Sequence, residues 1–325
     1  MNGVTEKAGI ALVLLAASLW ATVGIGAQLV PASAGMPPEL LGFARTAIAG
    51  PVLLGVAVFV LGVKAIMSTR LDPAGLITFA VSNAVFQIGL FRCFALLGVP
   101  LTVFLTVCLP PIMAMIWGWL RQQEQVTTGS VVALAHAGLG LGLIADDLGV
   151  GVAARSSGQG LVIAVAASFA FVTMTDAART LSRAAPPLLI AGAGLSLSSL
   201  ILLALLPVVS VAGPSALIAG LGDPATLGLV LYLGLGPTAL AYVCYCIGIA
   251  GCRSALVALI ASMIEPAVAA GLAIWLLADA MTIGEVMGCS LLMMAMLILW
   301  QSERSLGRKR FGAGAAGRVP EAGAD

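Results

Sequence analysis

A single glutamate, Glu265, stands inside a long run of apolar residues. At helical spacing its face carries only small side chains, while bulky aliphatic residues occupy the opposite face. The residues on its face are Ala258, Ala261, Ser262 and Ala269. A carboxyl group placed there could bind an amine or carry a proton. The alternative is that it caps backbone broken beside Pro266, or bonds a neighbouring hydroxyl group.

Two other apolar segments carry polar stripes at helical spacing. Asn83 and Gln87 share a face of the first segment, and Thr238, Tyr242 and Tyr245 share a face of the second. Hydrocarbon cannot satisfy these groups, so we expect both faces to point into the protein. They could form hydrogen bonds between helices in a closed core, but we favour the lining of a cavity.

Trp20 lies among small residues, on one helical face with Gly24 and Gln28. It could form the wall of a pocket for an apolar group, or pack with its N–H on a local carbonyl. Phe169 and Phe171 could also form part of such a wall, although the sequence favours this less than for Trp20.

Arg45 and Arg92 also stand in apolar segments, toward one membrane face. Either could attract an anionic group, but snorkelling to the interface is the expected explanation for both.

The composition indicates which elements hold these residues. Hydrophobic residues make up 61% of the chain, charged residues only 9%, and the mean hydropathy is +1.12, whereas soluble domains average about 25% charged residues. Apolar runs near the ~20 residues that cross a bilayer recur along the chain. We therefore predict an all-α polytopic membrane protein with ten spans: 9–30, 39–63, 74–97, 100–120, 129–145, 158–176, 187–209, 225–248, 255–277 and 283–300.

The basic residues predict the orientation, because they stay on the cytoplasmic side of a bilayer. With the N-terminus inside, the outer segments hold Arg155 alone. The cytoplasmic segments hold Lys7, Lys64, Arg70, Arg121, Arg179, Arg183, Arg253, Arg304, Arg308, Lys309, Arg310 and Arg318. We expect a multi-pass protein of the inner membrane with both termini in the cytoplasm and a disordered tail at 301–325.

The chain also contains an internal repeat. Pro111, Glu124, Thr127 and Gly129 have the same spacing as Pro266, Asp279, Thr282 and Gly284, 155 positions later. This predicts two five-helix repeats, residues 9–145 and 158–300. Because five is odd, the second repeat enters the membrane from the opposite side, an arrangement typical of secondary transporters.

Prolines interrupt three of the spans, where they could kink a helix or act as hinges. These residues are Pro110, Pro111, Pro237 and Pro266.

These patterns resemble the EamA-like drug/metabolite transporters, a superfamily with two five-helix repeats. The strongest resemblance lies between Leu231 and Leu299, in the segment 236–242 (GPTALAY), in Ile264-Glu265-Pro266, and in Asp279 and Gly288. The first half is similar through the segment 19–22 (LWAT), Arg45, the segment 109–111 (LPP) and Glu124. Two positions depart from the family pattern. Asp279 stands where a glutamate is common in the family, and Pro110 occupies the position of the first repeat that corresponds to Glu265 in the second. The YddG-type amino-acid exporters are one candidate subfamily.

Motifs for other chemistry are missing from the sequence. It has no HExxH, GxSxG or Walker-type GxxxxGK[ST] motif, so neither an enzyme nor an ATP-driven pump is predicted. We expect no cofactor, no metal site and no nucleic-acid partner. His136 and the six cysteines are interpreted as packing residues. Gly138-x-x-x-Gly142 permits close helix contact inside the fold or in a homodimer.

The sequence thus predicts a secondary transporter in the lipid bilayer, exporting small polar or amphipathic molecules by alternating access. Amino acids are the favoured substrate, since a polar and aromatic lining suits a zwitterion with an apolar side chain. Efflux of lipophilic cations is the near alternative. An intramembrane enzyme or a scaffold that transports nothing is the alternative of a different class.

Overall fold

The computed structural model describes residues 4–120, 127–147, 155–209 and 213–277, with 283–284, 286–288, 290–291, 293–295, 297–298 and 301. Helices account for nearly all of the described residues, and no strand occurs among them. Glu124, Asp279, Thr282 and most of the tail lie outside this part of the chain. The first half contains α1 (Glu6–Gln28), α2 (Pro38–Leu61), α3 (Val63–Ser68), α4 (Pro73–Leu97), α5 (Val99–Leu120) and α6 (Thr128–Asp147).

The second half continues the helical pattern, with one irregular segment. It contains α7 (Arg155–Ala184), α8 (Pro187–Val209), α9 (Gly213–Leu221), α10 (Pro224–Gly234), a π-helical segment (Leu235–Leu240), α11 (Ala241–Gly251), α12 (Ala255–Ser262) and α13 (Glu265–Leu277). The short helices α3 and α9 were not predicted from the sequence. They lie between spans.

Local sequence explains where several helices begin and end. The Asp72 side chain accepts hydrogen bonds from the first amides of α4, and Ser254 does the same for α12. Pro73 stands at the first position of α4, where a backbone N–H would have no acceptor within the helix, so proline removes no hydrogen bond there. Gly62 and Gly98 close α2 and α4 with φ values of 80° and 78°, which side chains with a Cβ rarely adopt.

Six helical segments in the described chain are long and apolar enough to cross a membrane: Glu6–Gln28, Pro38–Leu61, Pro73–Leu97, Gly158–Ala184, Pro187–Val208 and Pro224–Gly251. Shorter apolar helices at Thr102–Gly118, Val131–Gly140, Ala255–Ala269 and Val286–Ala295 stand where the other four spans were predicted. The protein is therefore a multi-pass, all-helical membrane protein.

Helices of one half pack mainly against helices of the other. The principal pairs are α4 with α7, α2 with α8, and α1 with α11. In addition, α5 packs on α7, and α12 and α13 pack on α1. The α2–α8 crossing is close, because a Cβ at Gly50 would lie 2.4 Å from the amide nitrogen of Ser196. Gly192 approaches the backbone of Leu54 in the same way.

The predicted end of span 6 at residue 176 was too early, since α7 continues to Ala184. Its last turns carry Arg179 and Arg183 to the carbonyl groups at the end of α11. Arg183 donates to the carbonyl oxygens of Ala250 and Cys252 at 3.1 and 2.8 Å, and Arg179 donates to those of Cys252 and Arg253. The two arginines thereby bond the Ala250 carbonyl in the last turn of α11 and two carbonyls just beyond its end, none of which has a partner within the helix.

Candidate functional site

A narrow cavity of about 30 Å³ lies where helices of both halves meet. Its polar lining consists of Arg45, Thr106, Tyr242, Ser262, Glu265 and the indole of Trp20. Its apolar lining includes Val23, Gly24, Phe86, Leu90, Phe94, Val103, Val107 and Phe171. Four of the eight residues that the sequence suggested for substrate binding line this cavity: Trp20, Tyr242, Ser262 and Glu265.

Glu265 reaches the cavity because the ninth predicted span is broken. α12 ends at Ser262, Met263 and Ile264 form a turn, and α13 begins at Glu265. The first residues of a helix carry amide N–H groups with no partner in the helix, so a carboxylate is favoured there. Ser262, one turn earlier, donates its hydroxyl proton to the carbonyl oxygen of Leu259 at 2.8 Å. The hydroxyl oxygen keeps free acceptor capacity.

Trp20 forms the aromatic wall of the site. Its ring centroid lies 5.8 Å from that of Phe171 and 5.4 Å from that of Tyr242, both in edge-to-face geometry, and 5.0 Å from that of Tyr245. The indole Nε1 is buried and has no hydrogen-bond partner among the described residues. The expected alternative, an N–H bonded to a local carbonyl, is therefore not what the structure contains.

The two polar stripes meet each other behind the cavity. The Tyr242 hydroxyl donates to Oδ1 of Asn83 at 2.5 Å, and Nδ2 of Asn83 donates to the Ser198 hydroxyl at 2.8 Å. The Tyr245 hydroxyl bonds the Thr175 hydroxyl at 2.7 Å. Asn83 and Tyr245 are fully buried and do not line the cavity. For these two residues the closed-core alternative describes the structure better than the favoured cavity lining.

Gln87 and Thr238 also lie outside the cavity lining. Thr238 is buried in the π-helical segment and donates to the carbonyl oxygen of Leu233 at 2.6 Å, which satisfies a backbone acceptor at the irregular turn. Gln87 is 1% exposed, and neither atom of its amide group has a partner among the described residues. It keeps unused hydrogen-bonding capacity deep in the bundle.

Arg45 corrects the expectation of snorkelling. It is 2% exposed and lines the same cavity as Glu265, and its guanidinium lies 5.7 Å from the ring centroid of Phe91. Its Nε and Nη1 atoms are buried without partners among the described residues. Arg92 behaves differently, since its half-exposed side chain forms an ion pair with the buried Glu39 at 2.9 Å.

The four prolines have different surroundings. Pro110 and Pro111 lie inside α5, which continues as one helix through both of them. Pro237 belongs to the π-helical segment, and Pro266 is the second residue of α13, where proline fits a helix start without breaking it. Only Pro237 and Pro266 therefore stand at irregular backbone.

A larger basin of about 450 Å³ opens at the end of the bundle where α1 and α4 end and α2 begins. Its lining includes Gln28, Pro37, Leu41 and Val99. Phe94 lines both this basin and the narrow cavity. The two spaces are therefore neighbours that share Phe94 as a lining residue.

Other residues singled out from the sequence lie away from the site. Nδ1 of His136 is 2.8 Å from the carbonyl oxygen of Val132 in its own helix. Phe169 is 44% exposed and packs on Trp117 instead of facing the cavity. The five described cysteines are buried, and within the described ranges no group of three His, Cys, Asp or Glu residues could hold a metal.

Sequence reasoning had not placed Arg45, Phe86, Phe171 and Thr106 together. A signal existed for Arg45, because a charged residue inside a membrane span faces a protein interior or a water-filled space more often than lipid. Its position near a predicted membrane face made snorkelling the simpler explanation. No periodicity could have brought Thr106 to the cavity, since that contact depends on how α5 packs.

Comparisons with known proteins agree with this architecture. A solved crystal structure superposes with a TM-score of 0.69 over 90% of this chain and 97% of that chain, at 18% sequence identity. This likeness concerns the fold alone. No curated protein matches the chain by sequence. Residues 158–301 match the EamA-like transporter family. That match agrees with the resemblance in the sequence and identifies this part of the chain as EamA-like; members of the EamA-like family are membrane transporters of the drug/metabolite type.

Proposed function

We propose that this protein is a secondary transporter that exports small amphipathic metabolites, amino acids first among them, across the inner membrane. The observation that carries the proposal is the central cavity. It combines a carboxylate, a guanidinium and an aromatic wall at the meeting place of the two halves. Charged groups inside a membrane span are costly and mark binding or ion pathways.

Helix packing supports alternating access around this cavity. The packing of α4 on α7 corresponds to that of α11 on α1, since each joins the third span of one half to the first span of the other. The packing of α5 on α7 corresponds in the same way to that of α12 and α13 on α1, which joins a fourth span to a first. The second spans, α2 and α8, pack on each other. Exchanging the five spans of one half with those of the other leaves this set of pairs unchanged. That exchange is what a pseudo-two-fold axis between inverted repeats requires, and such repeats expose a central site to each side in turn.

The sizes of the two spaces also fit a transport cycle. The central cavity has room for about one water molecule, so a substrate must widen it before binding. The basin beyond Phe94 is large enough for a small metabolite. In the orientation predicted from the basic residues, the basin opens to the outside. Movement of the Phe94 ring and its neighbours would join the two spaces.

Efflux of a lipophilic cation is the near alternative, favoured by Glu265 and the aromatic lining. Arg45 opposes it, because a guanidinium with two nitrogens that bond no described residue, lining the same cavity, repels a cation while it attracts an anionic group.

Uptake into proteoliposomes distinguishes the two. A panel of labelled amino acids and organic cations is tested with and without a pH gradient. We expect transport of amino acids with apolar side chains and a large loss in Glu265→Gln. Asp176→Asn, which removes an exposed carboxylate, is the matched control and should transport normally.

Three results would contradict the proposal. Equal, low uptake across the panel would exclude this substrate class. Transport of cations alone, abolished in Glu265→Gln, would establish cation efflux. Chemical turnover of a substrate in detergent, with no vesicle present, would indicate an enzyme.

A further inference from the structure

We propose that Arg45 is the carboxylate-binding residue of the central cavity, so that the site selects α-amino acids with a free carboxylate and an apolar side chain. The inference rests on the proposed transport function. It goes further in assigning one end of the substrate to a residue that the sequence had explained as an interfacial anchor.

The first step is the state of Arg45 itself. Its side chain is 2% exposed, yet two of its three guanidinium nitrogens have no partner among the described residues. A buried, unpaired charge is strongly unfavourable, and proteins normally pair such groups. Phe91 provides a ring contact at 5.7 Å but accepts no conventional hydrogen bond. The guanidinium therefore keeps donors for a group that enters the cavity.

The second step is the position of Glu265. Arg45 and Glu265 line the same cavity, one from a helix of each half. No ion pair joins Arg45 to Glu265 in the described part of the chain, where the arginines that pair with glutamates include Arg92 and Arg253. A guanidinium and a carboxylate held apart in this way complement a molecule that carries both charges. An α-amino acid does so, with its carboxylate toward Arg45 and its ammonium group toward Glu265.

The third step is the lining between the two charges. Trp20 and Phe171 meet edge to face at the cavity, and Phe86 packs on Phe171 with a centroid distance of 5.0 Å. This wall offers apolar surface to a side chain and no further charge. Aliphatic and aromatic amino acids fit it, while acidic and basic side chains would leave a buried charge unpaired.

The experiment measures binding to the purified full-length protein in detergent by titration calorimetry. The probes are L-phenylalanine, phenethylamine, which lacks the carboxylate, and 3-phenylpropionate, which lacks the amine. For the unchanged protein we expect L-phenylalanine to bind about 10- to 100-fold more tightly than either analogue, as the loss of one charge-assisted contact implies.

The variants separate the two ends of the ligand. In Arg45→Gln the affinity for L-phenylalanine should fall to that for phenethylamine. Arg45→Lys should keep part of the preference, because an ammonium group retains the charge but not the fork of donors. Glu265→Gln should remove the preference over 3-phenylpropionate and keep that over phenethylamine. Arg70→Gln, an exposed arginine in the turn before α4, should bind all three like the unchanged protein.

The ratio of two affinities measured on one preparation does not depend on the folded fraction, so partial misfolding of a variant leaves the test valid. Equal binding of phenethylamine and L-phenylalanine by the unchanged protein, or no binding of any probe, would overturn the assignment. A preference for L-phenylalanine that persists in both Arg45 variants would overturn the role of Arg45 and leave the proposed transport function standing. Arg45-dependent binding without uptake into proteoliposomes would support the site and contradict transport.

Discussion

The hydrogen-bond chain from Tyr242 through Asn83 to Ser198 connects α11, α4 and α8 behind the cavity. Replacing Tyr242 with phenylalanine removes one hydroxyl and leaves the ring contacts with Trp20 in place. The Asn83 carbonyl oxygen, fully buried, then loses its donor. We predict that Tyr242→Phe destabilises the protein.

The magnitude follows from two limits. A buried acceptor left without a partner costs about 1–3 kcal/mol in proteins generally. Hydrogen bonds between membrane helices average about 0.6 kcal/mol and reach about 1.7 kcal/mol, because the unfolded state in the membrane also finds partners. Since the Asn83 amide is sealed from water, we expect a value toward the upper end of the membrane range, about 1–1.7 kcal/mol.

The assay is reversible unfolding in mixed detergent micelles, followed by circular dichroism. Tyr232→Phe is the matched control. Its hydroxyl also donates to a side chain of another helix, Thr22, at 2.9 Å, but Tyr232 is 46% exposed. The control should change the free energy of unfolding by less than about 0.5 kcal/mol.

A double-mutant cycle with Asn83→Leu isolates the contact. The double variant should be more stable than the sum of the single changes predicts by about 1 kcal/mol, since each single change already removes the same bond. Two results would show that these hydrogen bonds do not hold the helices together: Tyr242→Phe as stable as the unchanged protein, or losses of unfolding free energy that add up in the double variant. Tyr242 would then be a residue of the cavity alone.

Two further predictions concern stability. Gly50→Ala should lower the melting temperature, because the new Cβ would lie 2.4 Å from the amide nitrogen of Ser196. Gly55→Ala is the control and should leave the melting temperature unchanged or raise it, because a Cβ there would have nothing within 4 Å. Equal effects of the two changes would contradict the close crossing of α2 and α8. The Thr226 hydroxyl and amide donate to Asp223 at the start of α10 and hold the pKa of that exposed carboxyl below its ordinary value. The stabilisation is complete above the unfolded-state pKa near 3.9 and is lost as the pH falls through the lower folded-state pKa. The difference in melting temperature between the unchanged protein and Asp223→Ala should therefore shrink in strong acid, and a difference that grew there would refute the cap.

The sequence by itself determined the class of protein and most of its helices. Apolar runs of membrane-spanning length can form little else than helices in a bilayer, because every backbone group needs a partner there. Composition, prolines at helix starts and the repeated motif are local properties, and they also carried the resemblance to the EamA-like family. The sequence likewise marked Trp20, Tyr242 and Glu265, since polar or bulky groups among small residues are unusual in a membrane helix.

Only the tertiary structure decided which of these groups share a space. The hydroxyl of Tyr242 bonds Asn83, while Arg45 turns inward and keeps donors at the cavity that pair with no residue of the described chain. Both outcomes depend on the rotation and crossing of helices more than a hundred residues apart in the chain. Periodicity assigns a residue to a face of its own helix, but the partner of that face is set by close packing between helices, which no single segment encodes.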